Sequence, residues 1–479
     1  MKIEKPIIFR DWSRGCVRTV QNSIVPPNSC KLNLNLDSDS EIGSLVSRLG
    51  TGLVGAQAVD GATCYGIHYH RDTIATNHKL FGVFSDGSYN DIYDMTTGTK
   101  SLEDDTNVLK TRFCTYLNST VRVNGTDAAK SYNGSAWVTT GGAFDEANMP
   151  KGSVVIEWQD RVYTAGVSST PNVLYYSGVA DPDARTVSWT VSNGTIEIEQ
   201  EDGGGDITAL EKVPGYLLVF KERSLKRWDG ASTFPEDLVH IGVSSQEAIC
   251  RGRGMVFFGN EKGVWITNGG YPKRISKPIQ DLWDAISDYT AIASYCDEDH
   301  AYFYVGDITL NQNTYTNICF KWNLDSNTWD IRSYYNDFTC FTNYIDTTEV
   351  IVGGDKDGQA IQLNKGNTDY HTTVQPITWS LETQDIDFGA RGRVKEYDRI
   401  NIFTENIRTG QVMYRTNSNQ DKDWKSIRNI TNDVESLDNF KAKGNWFNKK
   451  ITGTTNSGQV KILGFEFPEN SIEVNQNAS

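Results

Sequence analysis

The fold is decided by the stretch ITALEKVPGYLLVFKERSLKRWDG, which occupies residues 207–230. It contains an opening strand, a polar turn at Pro214 and Gly215, a strongly apolar strand, a second turn and a strand that ends at Trp228. Short apolar runs separated by turn residues are typical of β-strands. The stretch therefore predicts an antiparallel meander.

The same pattern recurs along the chain. Clear copies occupy residues 247–270, 290–331 and 339–366, and looser copies begin near Cys64, Cys114 and Val154. Their starts are separated by about 40 to 50 residues, the spacing of four-stranded propeller blades. One meander cannot bury both of its faces, whereas a ring of meanders stacks face to face and protects most strand edges. The sequence thus predicts six or seven blades between about Thr51 and Tyr370.

Two regions lie outside the predicted ring. Residues 1–50 are polar and rich in Asn, without a core pattern, and predict an extended N-terminal arm that becomes ordered by packing on something else. Residues 372–479 contain alternating strands that predict a C-terminal antiparallel β-sandwich domain, with a frayed tail at residues 475–479. The predicted fold class is all-β: a β-propeller of six or seven blades over residues 51–371, with this arm and this sandwich.

One short helix is predicted inside the ring. Ile279, Leu282, Trp283 and Ile286 follow helical spacing, with Ser276 available as an N-cap and Pro278 in the first turn.

Composition excludes several classes of protein. Hydrophobic residues make up 38% and aromatic residues 11% of the 479, which is too rich for a disordered chain. The formal charge is 46 − 61 = −15, so a basic surface that grips phosphates is not expected. No stretch reaches the roughly 18 apolar residues of a membrane helix, and no signal-peptide core is present. We expect a protein made in a cytoplasm, whose eight scattered cysteines are small buried hydrophobic residues.

Histidines give one candidate metal site. His68 and His70 would project from the same face of a strand, as two metal ligands do, but no third ligand is marked by spacing. Surface or hydrogen-bonded histidines are the simpler interpretation.

Two acidic, glycine-rich loops are candidate calcium sites. The stretch EIEQEDGGGD at residues 197–206 packs five acids around three glycines, and GGDKDGQ follows at residues 353–359. Neither matches a defined calcium loop, so solvated turns, and for the second a hairpin turn, are predicted. The acids of the first loop are Glu197, Glu199, Glu201, Asp202 and Asp206.

No catalytic motif is recognisable. Gly252 and Gly254 are not followed by a helix pattern, which argues against a phosphate-binding loop. Carboxylate pairs for glycoside hydrolysis can come from distant blades, and the sequence does not single out any two. We therefore assign no catalytic, cofactor-binding or metal-binding residues, expect no cofactor, and predict that the protein is not an enzyme.

The arm resembles the opening of a known family. Residues 10–51 resemble the tail proteins of short-tailed bacteriophages (podoviruses), namely tail nozzle or hub proteins and the accessory proteins that stabilise packaged DNA. Residues 204–230, 383–402 and 462–467 also look like parts of that family. Arg14 and Cys16 depart from it, since the family commonly has Gly and Leu there. The matching arm positions are Asp11, Trp12, Ser13, Gly15, Asn22, Ile24, Pro26, Asn28, Asn35, Leu36, Asp37, Gly43, Leu45, Arg48 and Gly50.

The resemblance implies a virion structural protein. Such a subunit would form a ring, a hexamer in this family, around the DNA channel of the tail. It would bind the portal or its adaptor on one side and fibre, spike or needle proteins on the other. It would be assembled in the host cytoplasm, and DNA would pass through without sequence-specific binding during genome ejection. The alternative is a glycan-binding or glycan-cleaving propeller, which would place paired carboxylates and an Arg in its central channel, with aromatic side chains beside them.

Overall fold

The computed structural model of the protein describes residues 5–18, 26, 28–74, 77–85, 87–181, 183–189, 194–198, 203–345, 348–388, 392–416 and 424–474, with the side chains of 103–106 and 439 excepted. The predicted frayed tail at residues 475–479 lies outside the described residues.

The chain begins with five short strands, four in the arm and the fifth at the start of the propeller sequence. These strands are β1 (Ile7–Phe9), β2 (Leu32–Leu34), β3 (Leu36–Asp37), β4 (Leu45–Ser47) and β5 (Thr51–Leu53).

Seven four-stranded antiparallel blades follow, and six of them, blades 1 to 5 and blade 7, are separate sheets. Blade 1 comprises β6 (Cys64–His70), β7 (Lys79–Ser85), β8 (Asn90–Asp94) and β9 (Thr99–Thr106). Blade 2 comprises β10 (Arg112–Tyr116), β11 (Ser119–Val123), β12 (Lys130–Tyr132) and β13 (Trp137–Val138). Blade 3 comprises β14 (Val154–Trp158), β15 (Arg161–Ala165), β16 (Val173–Tyr176) and β17 (Thr195–Glu197). Blade 4 comprises β18 (Ile207–Val213), β19 (Tyr216–Lys221), β20 (Leu225–Trp228) and β21 (Glu236–Val239).

The last three blades complete the ring. Blade 5 comprises β22 (Ile249–Gly252), β23 (Met255–Asn260), β24 (Gly263–Thr267) and β25 (Lys273–Arg274). Blade 6 comprises β26 (Ala293–Cys296), β27 (His300–Leu310), β28 (Asn313–Asn323) and β29 (Trp329–Ser333), and it belongs to a ten-stranded sheet. Blade 7 comprises β30 (Phe338–Ile345), β31 (Glu349–Asp355), β32 (Ala360–Leu363) and β5, the strand that follows the arm.

The blades close into a propeller around one axis. The first strand of each blade is innermost, and the innermost strands of successive blades contact one another, including those of blades 7 and 1. Apolar side chains fill the spaces between blades, as where Phe220 of blade 4 and Phe258 of blade 5 lie with ring centroids 5.2 Å apart. The predicted all-β propeller is therefore confirmed, with six blades as separate sheets and a seventh continuous with the C-terminal sheet.

The strand that follows the arm closes blade 7. Strand β5 is the outermost strand of that blade, and its Thr51 and Leu53 pair antiparallel with Leu363 and Ile361 of β32. One blade is thus built from both ends of the propeller sequence, so the ring is held shut by main-chain hydrogen bonds.

The C-terminal strands form a sandwich of two sheets. They are β33 (Thr368–Tyr370), β34 (Val374–Glu382), β35 (Lys395–Glu405), β36 (Gly410–Thr416), β37 (Lys425–Ile430), β38 (Val434–Gly444), β39 (Phe447–Thr455), β40 (Lys461–Phe467) and β41 (Ile472–Val474). One sheet has the order β3-β4-β40-β35-β38, and in it β1 also pairs with β40 and β41 also pairs with β35. The other has the order β2-β34-β39-β36-β37 and continues through β2 into β29 of blade 6.

The described part of the arm therefore contributes strands and core residues to this chain's own sandwich. Trp12, Leu36 and Leu45 are buried in the sandwich core beside Trp379 and Phe465. Strand β2 lies between blade 6, with which it pairs parallel, and β34, with which it pairs antiparallel. The arm's missing core pattern has a simple cause: its apolar residues complete a core supplied by the far end of the sequence.

The predicted helix is shorter than expected. A 3-10 turn at Lys277–Ile279 leads into the single α-helical turn α1 (Gln280–Trp283). Ser276 does not cap it, because its hydroxyl accepts from the Val264 N–H (3.0 Å) and donates to Gln280 Oε1 (3.1 Å). The predicted apolar face is buried against blades 5 and 6. Among the described residues, no helix combines the length and the apolar character needed to cross a membrane.

Candidate functional site

A cavity of about 380 Å³ lies where the innermost strands converge. All seven blades contribute to its wall, which makes it the central channel of the propeller. One lining residue from each blade, in chain order, is His68, Cys114, Ile156, Leu210, Ile249, Ser294 and Phe341.

An ion pair crosses this cavity. Arg112 of blade 2 donates to Glu247 through Nε (3.0 Å to Oε1) and Nη2 (2.8 Å to Oε2), and its Nη1 donates to the Ser153 carbonyl (2.8 Å). Glu247 directly precedes blade 5, which lies across the ring from blade 2. Burial alone would raise the pKa of Glu247, but the charges of Arg112 and Lys110 outweigh burial and lower that pKa to about 2. Glu247 is thus ionised and locked in place.

Two further pairs line the same cavity. Lys212 of blade 4 pairs with Glu157 of blade 3, and Arg251 of blade 5 lies 3.7 Å from Glu211 of blade 4. Burial raises the pKa of Glu211, and burial together with the charge of Arg251 lowers the pKa of Lys212. The three acids and three bases balance one another, so the cavity is not a single-sign funnel for a charged ligand.

The two candidate histidine ligands are held by hydrogen bonds to blade 2. His68 Nε2 lies 2.6 Å from Thr115 Oγ1, and His70 Nδ1 lies 2.8 Å from Thr120 Oγ1. The two threonine hydroxyls are themselves hydrogen-bonded at 2.6 Å. Burial lowers the pKa of His68 to about 3 and that of His70 to about 4, so both rings are neutral. In the described residues, no three His, Cys, Asp or Glu side chains are grouped in a way that could hold a metal ion.

The acidic loop at residues 197–206 is only partly placed. Glu199, Glu201 and Asp202 lie outside the described residues, whereas Glu197 is exposed and the Asp206 carbonyl accepts from the Glu222 N–H at 3.1 Å. The described residues of the loop therefore add no ligand set.

The second loop is the predicted hairpin turn between β31 and β32. Asp355 accepts from the N–H groups of Asp357 (3.0 Å) and Gln359 (2.8 Å) and from Asn336 Nδ2 (3.0 Å). Burial outweighs these bonds and raises the pKa of Asp355 to about 6. The carboxylate oxygens of Asp355 are therefore used in the hydrogen bonds that stabilise the turn. Gly252 and Gly254 likewise lie in the hairpin from β22 to β23, which no helix follows.

The sequence did not reveal the most heavily charged cluster. We call it the arm latch: three charged residues of the arm together with their buried ion-pair partners in blade 6 and β33. Its members are Asp37, Asp39, Arg48, Lys321, Arg332 and Asp369.

Arg48 makes the most deeply buried pair. Its Nη1 and Nη2 donate to Oδ1 (2.8 Å) and Oδ2 (2.5 Å) of Asp369, and both side chains are 1% exposed. Nη2 also donates to the Ser333 carbonyl (2.6 Å), and the guanidinium lies 4.5 Å from the Tyr334 ring centroid. Arg48 Nε donates to Asn35 Oδ1 (2.8 Å), so one side chain joins the arm, blade 6 and β33.

The aspartates of the arm bind blade 6 directly. Arg332 Nη2 donates to Asp37 Oδ2 at 2.7 Å, and Lys321 Nζ donates to Asp39 Oδ1 at 2.7 Å. His300 bridges Asp39 (2.5 Å) and Asp297 (3.0 Å). Although burial opposes it, hydrogen bonding to these two carboxylates raises the pKa of His300.

A further acid lies beneath the arm. Asp330 is buried and accepts from Asn33 Nδ2 (2.5 Å), the Ser38 N–H (3.1 Å) and the Ser38 hydroxyl (2.8 Å). Burial, together with the nearby charges of Asp37 and Asp39, raises the pKa of Asp330 to about 6.

Several arm positions that carry the family resemblance belong to this joint. Asn35, at φ 57°, donates to the Thr378 carbonyl (2.7 Å) and accepts from the Ser333 N–H (2.7 Å). A Cβ on Gly50 would lie 1.9 Å from the Thr368 carbonyl oxygen, and one on Gly15 would lie 2.5 Å from that of Trp329. Of the other matching positions, Asn22 and Ile24 lie outside the described residues.

The comparisons with known proteins do not assign the chain to a family. No protein-family model matches the chain, and no curated protein matches it. Matching solved structures include U3-55K, at 8% identity and a TM-score of 0.43, covering 66% of this chain and 98% of that chain. They also include the Pan2 WD40 domain of Neurospora crassa, at 8% identity and a TM-score of 0.42, covering 68% of this chain and 97% of that chain. The resemblance of the arm to phage tail proteins thus stays a prediction.

Proposed function

We propose that the protein is a structural subunit of a short-tailed phage tail, a nozzle, hub or head-to-tail connector, without enzymatic activity. The proposal starts from the arm resemblance. The observation that carries it furthest is that arm residues matched by the resemblance, Asn35, Asp37 and Arg48, form the buried joint between propeller and sandwich. A chain in which blade 6, the arm and the sandwich share one sheet suits a mechanical spacer.

In this proposal the subunit forms a ring, expected to be a hexamer, around the tail channel. The portal or adaptor lies on one side and fibre, spike or needle proteins lie on the other. The net charge of −15 would repel the DNA duplex, so DNA could slide along the channel wall during genome ejection without binding to it. The assembled ring should accordingly fail to retain duplex DNA even at low salt, and tight retention would contradict the sliding wall.

Assembly and location test the role itself. The purified chain is sized by light scattering, alone and after mixing with the portal ring encoded in the same genome, and antibodies to the chain are applied to virions for electron microscopy. We expect a discrete ring or assembly on the portal, with antibody at the tail. A chain that stays monomeric beside the portal and unlabelled virions would refute the role.

A second candidate function is glycan binding in the central cavity. Glu157, Glu211 and Glu247 line it together with Arg112 and Phe113, and the raised pKa of Glu211 is what a general acid needs. We rank it second because ion pairs with basic side chains already engage the three carboxylates. A glycan array decides between the two functions: binding or turnover that Glu211→Gln abolishes favours the glycan protein, and an array without signal favours the tail subunit.

A further inference from the structure

Two pairs of cysteines face each other across joints between blades. Cys250 of β22 and Cys296 of β26 join blades 5 and 6, with their Sγ atoms 3.2 Å apart. Cys64 of β6 and Cys340 of β30 join blades 1 and 7, with their Sγ atoms 3.6 Å apart. All four are free thiols, and the two sulfur atoms of each pair lie within hydrogen-bonding distance.

A glycine lies against each pair. A Cβ on Gly354 would lie 2.4 Å from Cys64 Sγ and 3.2 Å from Cys340 Sγ. A Cβ on Gly252 would lie 3.1 Å from Cys296 Cβ and 3.4 Å from its Sγ. Because both residues are glycines, no side chain occupies the space beside the sulfur atoms of each pair.

Each pair has one thiol at the wall of a cavity. Cys340 lines the central cavity of about 380 Å³, and Cys296 lines a separate cavity of about 750 Å³ between blades 5, 6 and 7. Both cavities are far larger than one water-sized molecule. A small oxidant would thus reach one sulfur of each pair, although all four residues are buried.

We propose that Cys64–Cys340 and Cys250–Cys296 are oxidation sites that become disulfides between neighbouring blades when the protein meets peroxide. The cavity-lining thiolate attacks hydrogen peroxide, the O–O bond breaks, and a sulfenic acid and hydroxide form. The partner thiol then attacks the sulfenic sulfur, the S–S bond forms, and the sulfenic oxygen leaves as water with the partner's proton. The hydroxide takes up the proton that the first thiol released on ionising, so two thiols lose two electrons and one peroxide gives two waters.

The first pair is the better nucleophile. The pKa of Cys340 is lowered by its hydrogen bonding with Cys64 and by the nearby charge of Lys110, whereas burial raises the pKa of Cys296 well above its ordinary value. Lys110 Nζ donates to the carbonyl of Thr339, the neighbour of Cys340, at 2.8 Å, which holds a cation beside the first pair. Because thiolate is the reactive form, Cys64–Cys340 should crosslink before Cys250–Cys296.

The first crosslink would also matter most to the fold. It joins the first blade to the last, where the ring is otherwise closed by the pairing of β5 with β32 and by packing. A disulfide there would restrict the unfolded chain across most of the propeller. This chemistry depends only on the thiol pairs and holds whether or not the chain belongs to a phage tail.

The test uses the whole purified chain. Native protein is treated with hydrogen peroxide, the remaining thiols are alkylated in denaturant, and peptides from a non-reducing digest are identified by mass spectrometry. We expect the two linked peptides, each lighter than the sum of its parts by two hydrogen atoms. The melting temperature should rise after oxidation and return with dithiothreitol.

Three variants make the test specific. Cys340→Ser should lose only the first linked peptide and Cys296→Ser only the second. Cys114→Ser should keep both, since Cys114 lines the same cavity as Cys340 but belongs to neither pair. Full alkylation of all four cysteines after peroxide, or linkage in other combinations, would overturn the proposal. The mapping of the unaltered protein decides this even where a variant fails to fold.

Discussion

At the scale of single residues, the arm is held by charge where it meets blade 6. A buried ion pair is weak evidence of net stabilisation, because burying both charges costs solvation free energy. Breaking such a pair is nevertheless costly, since one charge is left buried without its partner. Arg48 and Asp369 meet that condition more fully than the exposed pairs of the propeller surface.

Removing Arg48 should destabilise the protein strongly. We expect Arg48→Ala to lower the free energy of unfolding by about 3–5 kcal/mol, as is typical when one partner of a buried pair is lost. The matched control is Lys356→Ala, because Lys356 pairs with Asp337 at the surface (2.7 Å), where a pair contributes about 0–1 kcal/mol. Urea unfolding followed by tryptophan fluorescence measures both. Equal losses in the two variants would contradict a latch centred on Arg48.

His300 should make stability depend on pH. Its pKa is raised, so its stabilising contribution is complete below the unfolded value of 6.5 and is lost as the pH rises through the folded value. Asp330, with a pKa of about 6, acts at lower pH, where stability falls as the pH rises from 3.8 towards 6. The two contributions therefore occupy different ranges of pH.

The variant His300→Gln isolates the first range. We expect the free energy of unfolding of the unaltered protein to fall as the pH rises above 6.5, and that of the variant to fall less. Replacing the exposed His240 by Gln is the control and should leave the slope unchanged. Urea unfolding at a series of pH values gives the slopes. Identical slopes for the unaltered protein and His300→Gln would show that the bridge to Asp39 and Asp297 is absent.

At the scale of elements, the arm strands belong to the sandwich rather than to a separate appendage. Leu45 of β4 is 0% exposed in the sandwich core, whereas Ile42, three residues earlier, is 98% exposed. The two residues thus form a matched pair of similar size and sequence position. Comparing variants of the two residues distinguishes the loss of packing in the sandwich core from the mere loss of an apolar side chain in the arm.

Truncation of these two residues should have opposite outcomes. We expect Leu45→Ala to cost about 2–5 kcal/mol, through lost burial and the cavity left behind. Ile42→Ala should change stability by less than about 0.5 kcal/mol, because its side chain contacts mainly solvent. Thermal unfolding by calorimetry compares the two. If Leu45→Ala costs as little as Ile42→Ala, the arm does not pack in the sandwich in solution.

The sequence predicted elements well where the pattern is local. The three inner strands of blade 4 fall within residues 207–230, because apolar runs and turn residues lie next to one another there. Its outer strand β21 (Glu236–Val239) is polar and short, and gives no such signal. The observed helix is shorter than the predicted one. The spacing of Ile279 and Ile286 is compatible with one buried face of a bent segment as well as with a regular helix.

Non-local pairings could not be predicted. Strand β5 completes a blade whose other strands lie about 300 residues later in the sequence, and Arg48 pairs with Asp369 across 321 positions. From the sequence alone, the charged residues of a polar arm are predicted to be solvent-exposed, because their buried partners lie far away in the sequence. The cavity acids Glu157, Glu211 and Glu247 were equally hidden, since each comes from a different part of the ring.

At the scale of the whole molecule, the propeller and the sandwich are parts of one body. A single ten-stranded sheet runs from blade 6 through β2 into the sandwich, and the arm latch seals the same joint. An inter-domain connection made of main-chain hydrogen bonds resists hinge motion more than a flexible linker does. The proposed spacer role depends on this continuity.

Hydrogen–deuterium exchange of the full chain tests that continuity most directly. Amides inside a cooperative unit exchange only when the unit opens, so neighbouring elements of one body are protected to similar degrees. We predict that the amides of β2 and β4 exchange as slowly as those of β29 in blade 6 and β34 in the sandwich. Rapid exchange of β2 and β4, with blade 6 and the sandwich still protected, would contradict the account.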